Sequence, residues 1–377
     1  MQFSLPNAVK TIINTLESAG FEAWCVGGCV RDMLLGITPH DFDITTNALP
    51  NQIKDLFKKT VDTGIKHGTV TVIIENRPFE VTTFRSDGDY LDHRSPAKVN
   101  FLKTIDGDLA RRDFTVNAMA YHESRGLLDL FGGEADLKAG ILKAVGEPEK
   151  RFSEDALRIL RLFRFAARLD FTIEKNTLDA AIKCAKDLSL VSRERICFEL
   201  IETLVSKKPD KLNHLLKSDA LSFLGVGKGD ISSLSMLKQK KSLRFLAFCL
   251  ATQTDPLRLC NELKTDNALK RHCESFLEGF TLPNDTPYDL KKLLYLCGED
   301  ATRDILTLNK KEHTLLDNIL ISGEPIFLND LKVDGNILNG YNIKGPIVGD
   351  TLRKMLEYVW INPEANTKDT LINLFLN

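Results

Sequence analysis

Apolar and polar positions follow two different rhythms along this chain. Up to about residue 140, short runs with a period near two are separated by stretches with a helical period. "FEAWCVGG" (21–28) reads as a strand running into a glycine turn, and "CVRDMLLG" (29–36) as a short helix closed by Gly36. "DFDITT" (41–46) follows as a second strand, and "NALPNQIKDLFKKT" (47–60) as a helix capped by Asn47. "GTVTVIIEN" and "RPFEVTTF" (68–84) pair as a hairpin, and "GLLDLFGG" (126–133) gives a further strand and turn. Beyond residue 140 the strand signals fade. "SEDALRILRLFRFAARLDF" (153–171), "KNTLDAAIKCAKDL" (175–188), "SRERICFELIETLV" (192–205) and the stretches to residue 377 have helical periods punctuated by Gly, Pro and Asn. The pattern predicts an α+β head, a small mixed sheet with helices, followed by an all-α remainder.

With 377 residues the chain is too long for one compact core, and several domains are expected. Fifty Lys and Arg balance 52 Asp and Glu, for a net charge of −2, so any basic surface for nucleic acid must be local. The N-terminus reads as a polar start and an amphipathic helix rather than a signal peptide. No apolar run is long enough to span a bilayer, so no membrane partner is expected. The eight cysteines are scattered, without a CxxC pair. That pattern argues against zinc and for packed free thiols in a reducing cytoplasm.

The chemistry begins at "HDFDIT" (40–45). On a strand, Asp41 and Asp43 face the same side. A turn at "TPHD" would account for one aspartate, but two like charges on one face are costly without a cation. Immediately upstream, "VGGCVRD" (26–32) supplies a glycine turn whose backbone N–H groups suit phosphate, and Arg31 supplies a forked cation. Mg²⁺ takes carboxylate oxygens together with substrate phosphates. Turn, arginine and carboxylates together describe a Mg²⁺–triphosphate site for phosphoryl or nucleotidyl transfer. Glu80 interrupts an apolar strand and is a candidate third carboxylate; an outward-facing charge on a half-exposed strand explains it as simply.

The 153–171 segment predicts one long helix, with Ser153 as its N-cap and Glu154 and Asp155 in the first turn. Arg158, Arg161, Arg164 and Arg168 then recur every three or four residues. Asp155 and Arg158, at i and i+3, are expected to be neighbours. An exposed ion pair is one account. The other is an edge for reading bases, because a carboxylate only accepts hydrogen bonds and a guanidinium only donates. Cytosine and adenine present an amino donor beside a ring-nitrogen acceptor, whereas uracil and guanine present the reverse. Such an edge accepts C and A and rejects U and G, with Arg161 and Arg164 reaching phosphates or holding the edge in place.

These stretches, with "DGDYLDHRSPAKVNF" (87–101), "DLARRDFTVNAMAY" (108–121) and "LDLFGGEADLKAGILKAVG" (128–146), fall in the order and spacing of a known family. The chain strongly resembles the class II tRNA nucleotidyltransferases, the CCA-adding enzymes. The resemblance implies a polymerase-β-like head over residues 1–140, a base-recognising neck at 141–205, a body at 206–320 and a tRNA-binding tail at 321–377, in a curved molecule; the sequence leaves monomer or homodimer open. It implies that Gly28, Arg31 and Arg112 bind nucleotide, that Asp113 contacts the ribose or orients the site, and that Asp41 and Asp43 hold Mg²⁺. Glu154, Asp155, Arg158, Arg161 and Arg164 align with base-reading and nucleotide-binding positions. The implied substrates are CTP, ATP and the 3′ end and elbow of tRNA. The polar loop at 85–101 argues against a CC-only enzyme, and the intact Glu154–Asp155 pair favours CCA addition over a poly(A) polymerase. An ATP-only relative stays open at this point. Clusters at 238–244, 290–295 and 309–313 are candidate tRNA contacts or solvated helix faces.

Overall fold

The structure is a computed structural model that describes residues 3–87 and 99–376. The chain divides into two compact units. The first holds residues 1–244 with 248–255 and 262–264; the second holds 245–247, 256–261 and 265–377.

The first unit opens with α1 (Asn7–Ser18), β1 (Ala23–Val26), α2 (Gly28–Leu34), β2 (Asp43–Thr46) and α3 (Pro50–Leu56). It continues with β3 (Thr60–Gly64), β4 (Thr69–Ile74), β5 (Arg77–Thr83), β6 (Arg85–Asp87), β7 (Val99–Phe101) and α4 (Ile105–Ala110). Next come β8 (Met119–His122), β9 (Gly126–Asp129) and α5 (Gly133–Ala139). Seven strands join in one mixed sheet in the order β3-β4-β5-β2-β1-β8-β9. β2 and β5 run parallel, which sets Ile44 beside Val81. The β4–β5 hairpin turns on Glu75 and Asn76, whose φ values of 50° and 61° fit the two-residue turn matched to strand twist. β6 and β7 pair as a separate ribbon at the stems of the 85–101 loop. The rest of that loop, residues 88–98, lies outside the described residues.

Three local expectations are corrected. β2 begins at Asp43, so Asp41 precedes the strand rather than lying in it. The cause is β1, which ends at Val26 opposite Asp43 before Gly27 turns away with a φ of 76°. Asn47 does not cap α3; that helix begins at Pro50, and the Asn47 side chain accepts from the Glu22 N–H at 2.8 Å. β3 and β8 were not legible as strands, because β3 is largely exposed and β8 is buried throughout, so neither alternates.

The fourth correction concerns the arginine helix. Ser153 and Glu154 end a preceding helix, α6 (Pro148–Glu154), and Asp155 is extended with φ −142° and ψ 102°. The arginines then ride on α7 (Leu157–Leu169). A short pair, β10 (Ile141–Leu142) and β11 (Thr172–Ile173), precedes α8 (Lys175–Cys184) and α9 (Arg193–Leu204). The helical identity of the region holds; its start does not.

In the second unit, helices Pro287–Leu308, Pro346–Ile361 and Lys368–Leu376 enclose an apolar core around Trp360, Met355 and Leu338. Trp360 and Trp24 are core residues, 4% and 6% exposed, as expected. All eight cysteines are free thiols. Two of the basic clusters lose a member to the interior. Lys291 is 1% exposed and donates to the Trp360 carbonyl at 3.0 Å. Arg244 is also 1% exposed, and its guanidinium binds the backbone carbonyls of Leu204, Ser206, Leu237 and Lys238.

Arg244 therefore ties three stretches of backbone together in the first unit. Replacing it by Met keeps volume but strands four buried acceptors. Arg244→Met is expected to lower stability by on the order of 3 kcal/mol or more, read by urea unfolding; a loss within the range of ordinary surface changes would show that water replaces the guanidinium.

Candidate active site

The site is assembled where β1 ends, β2 begins and β5 runs beside β2. Asp43 is the first residue of β2, and the parallel register with β5 brings Glu80 to the same level, one residue before the Ile44–Val81 pair. Although Asp43 is exposed at its face, loss of water around it raises its pKa. Arg112 opposes that rise and Asp41 adds to it. Glu80 is raised first by desolvation, then by Asp43 and Asp41. The three carboxylates therefore share one field, although only Asp43 and Glu80 lie on strands.

Among the described residues none of these three carboxylates has a hydrogen-bond or salt-bridge partner in the protein, and no group of three or more His, Cys, Asp or Glu is placed to hold a metal ion by itself. Carboxylates that repel one another and have no partner fit a hard divalent cation whose shell is completed by substrate phosphates and water.

Beside them stands the glycine turn. A Cβ on Gly27 would lie 2.8 Å from Arg112 Nη1, so glycine is required there both for its φ of 76° and for the close approach of the guanidinium. Arg112 is held by Asp108, which is fully buried and also binds Arg111 at 2.7 Å. Both arginines hold the Asp108 carboxyl below its usual range against the effect of burial. Arg112 Nε is buried with no hydrogen-bond partner among the described residues.

Arg111, Arg112, Asp113, Asp155, Leu157, Arg158, Arg161 and Arg195 line one pocket of about 270 Å³. The sequence-predicted Arg112, Asp113, Asp155, Arg158 and Arg161 thus converge. Within the pocket the partnerships differ from the expected ones. Asp155 is bridged by Arg195 of α9, with Nη2 2.8 Å from Oδ2. Arg158 reaches Glu154 at 2.7 Å and the carbonyls of Arg151 and Arg111 at 3.0 Å each. The helix break at Asp155 is the reason: with the residue extended, the i,i+3 relation no longer fixes the two side chains face to face. Asp155 instead accepts from the Leu157 N–H at 3.1 Å.

The remaining predicted residues lie behind the pocket in a connected series. Arg31, 3% exposed, donates to Asn117 at 2.6 Å and to Asp32 at 2.7 Å. Asn117 donates to Asp113, which accepts from Arg161 Nε at 2.9 Å. Arg161 approaches Glu199 at 3.8 Å, and Glu199 accepts from Arg164 Nε at 2.5 Å. Arg31, Arg161 and Arg164 surround the Phe165 ring at 5.3, 5.3 and 4.3 Å. Burial opposes the charge of Asp113, but Arg161 outweighs it and holds the carboxyl down. Burial likewise opposes the charge of Arg161, and Asp113 with Glu199 outweighs it in turn. Gly28 lies over this layer, its Cβ position 3.6 Å from Arg31 Nη2. Sequence reasoning missed Gly27, Asp108, Asn117, Arg195 and Glu199. A signal existed only for Asp108, at i−3 and i−4 from the two arginines of "DLARRD".

A mixed-sheet head with unpaired carboxylates on its central strands, an arginine-lined pocket beside them and helices after it defines a nucleotidyltransferase joined to an RNA-binding helical region. Residues 23–143 match the family described as the poly A polymerase head domain, and residues 170–224 match the probable RNA and SrmB- binding site of polymerase A. A CCA-adding enzyme of Lactiplantibacillus plantarum is 47% identical over 389 residues, covering 97% of this chain and 95% of that protein. One of Ligilactobacillus salivarius is 42% identical, covering 98% and 96%. Among solved structures, the Bacillus stearothermophilus CCA-adding enzyme in complex with CTP superposes with a TM-score of 0.83 at 28% identity, covering 97% of this chain and 96% of that one. The chain belongs to the CCA-adding enzymes. Nucleotidyltransferases of this kind generally use a divalent metal. No helix among the described residues is long and apolar enough to cross a membrane.

The raised carboxylates carry a testable sign. A pKa raised on folding means that ionisation costs stability at neutral pH, and that the cost disappears as pH falls through the folded pKa and below the unfolded one. Asp43→Asn is therefore expected to raise the unfolding temperature of the metal-free protein at pH 7. The gain should vanish below about pH 4, where both states are protonated. A variant less stable than wild type at pH 7 contradicts the assignment of Asp43 as an uncompensated charge.

Proposed function

We propose that this chain completes the 3′-terminal CCA of tRNA from CTP and ATP without a nucleic-acid template. The observation that carries the reading is the juxtaposition of three unpaired carboxylates with an arginine pocket containing Asp155 and a buried, unpartnered guanidine N–H.

Asp41 and Asp43 would hold Mg²⁺, with Glu80 facing the attacking hydroxyl. Bound there, the metal neutralises the triphosphate and lowers the pKa of the tRNA 3′ hydroxyl. The protein's own residues do the rest. The Gly27–Gly28 turn and Arg112 receive phosphate oxygens. Asp113, fixed by Arg161 and Asn117, orients the ribose side of the pocket. Asp155 supplies the acceptor and the neighbouring guanidiniums supply the donors of an edge that fits cytosine and adenine and leaves uracil and guanine mispaired. Arg31 and Arg164 hold the layer from behind. Residues 141–205 serve as the neck that carries this edge, and the later helices hold tRNA through backbone contacts.

A second reading has one observation in its favour, the match of the head to a family named for poly(A) polymerase. It uses ATP alone. Supplying each labelled nucleotide separately to tRNA ending before the first C, after one C and after CC distinguishes the two. CTP incorporation on the first two substrates and ATP only on the third is expected; failure to incorporate CTP sinks the CCA reading.

The base edge has its own check. Arg158→Ala should relax discrimination against UTP and GTP by on the order of tenfold or more, measured as the ratio of kcat/KM values. Lower activity with unchanged ratios would assign Arg158 to positioning alone.

A further inference from the structure

Away from the nucleotide site, two thiols face each other across a helical hairpin. Helix Pro256–Leu263 ends at Lys264, whose φ of 51° is left-handed, and the Thr265 N–H returns to the Cys260 carbonyl at 3.0 Å. Asp266 then caps helix Asn267–Gly279, accepting from the Leu269 N–H at 2.8 Å. So tight a reversal lays the two helices side by side. Cys260 on the first comes to Cys273 on the second with sulfurs 3.9 Å apart. The residues are 2% and 0% exposed, and both belong to the second unit.

The two thiols are chemically unequal. The hydrogen bond between Cys260 and Cys273 pulls Cys260 down to about 7 against the effect of burial, with Thr265 and Lys270 adding to the lowering. A thiol near neutrality is partly thiolate, the form that reacts with oxidants. Cys273 is in position to resolve what forms on it. Closing 3.9 Å to a bond of about 2.05 Å needs side-chain rotation within one hairpin.

We propose that Cys260 and Cys273 form a reversible, peroxide-driven disulfide that staples this hairpin. The Cys260 thiolate attacks one peroxide oxygen, the O–O bond breaks, and hydroxide leaves, giving a sulfenic acid. The Cys273 sulfur then attacks the sulfenic sulfur, the S–O bond breaks, and the oxygen leaves as water with the proton of the Cys273 thiol. Two thiols and one hydrogen peroxide become one disulfide and two waters. Reduction by a dithiol reverses it. The small solute reaches the pair through local opening at the hairpin end.

The test treats the native full chain with hydrogen peroxide, blocks remaining thiols and maps tryptic peptides by mass. The expected product joins residues 259–264 to residues 272–291, has lost two hydrogens, and separates on reduction with dithiothreitol. The stapled protein should unfold on the order of 5 °C higher. In Cys273→Ser, Cys260 should advance to sulfinic acid, whereas in Cys260→Ser, Cys273 should stay a thiol. A linked peptide that is absent, that forms only after denaturation in urea, or that joins Cys260 to another cysteine overturns the proposal. The wild-type map decides the matter even if a serine variant fails to fold.

Discussion

The arginine-lined pocket depends on a series of linked polar and charged side chains, buried except for the half-buried Arg161, that runs from the glycine turn to α9. Arg31, Asn117, Asp113, Arg161, Glu199 and Arg164 are linked in that order. No member can be removed without leaving a desolvated partner, a loss of about 3–5 kcal/mol for a buried ion pair. Yet the series contributes little net stability, because desolvating so many charges offsets most of their attraction. Its consequence is geometric. It fixes α2, the loop of Asp113 and Asn117, α7 and α9 relative to one another, and Asp113, α7 and α9 carry walls of the pocket.

The carboxylates obey the opposite rule. Every charge in the series has a partner, whereas Asp41, Asp43 and Glu80 have none among the described residues. A fold able to satisfy Asp113 through three hydrogen bonds had the donors to satisfy Asp43 as well. Arg112 comes near enough to temper Asp43, but its ion pair is made to Asp108. The protein thus withholds compensation at one place and completes it a few residues away. That contrast separates a surface built to receive ions from one built to stand still.

The sequence disclosed elements whose patterns are local. β1, α2 and the β4–β5 hairpin follow from a glycine turn, a short amphipathic run and a two-residue reversal. Asp41, Asp43 and Glu80 were visible because acids in strand-like runs violate local preference. Partnerships were not visible. Asp155 looked like a first-turn acid paired with Arg158, because i,i+3 geometry holds in a continuous helix; the break at Asp155 hands it to Arg195, forty positions on. Arg31 read as a cation for phosphate and Arg164 as one reaching phosphates or holding the base edge; their burial became apparent only when Asn117 and Glu199 arrived from distant segments. Arg244 and Lys291 were taken for surface charge. A basic residue in a polar cluster gives no local sign that its head will meet backbone carbonyls.

Template-free selection places an unusual demand on such a pocket. A polymerase with a template borrows its specificity from a flexible partner strand. Here the donors and acceptors must themselves stand where a complementary base would stand. An edge that relaxes by one rotamer loses its preference, because a guanidinium and a carboxylate on mobile side chains can both turn to suit uracil. On the proposed reading, the helix break at Asp155 prevents that. A carboxylate in the first turn of a continuous helix points along the axis into solvent. An extended residue between two helices has its backbone fixed on both sides, and its side chain is pinned by the Leu157 N–H and Arg195. Arg158 is fixed in the same way by two backbone carbonyls and Glu154. On the proposed reading, the departure from regular helix is therefore the feature on which base selection would rest.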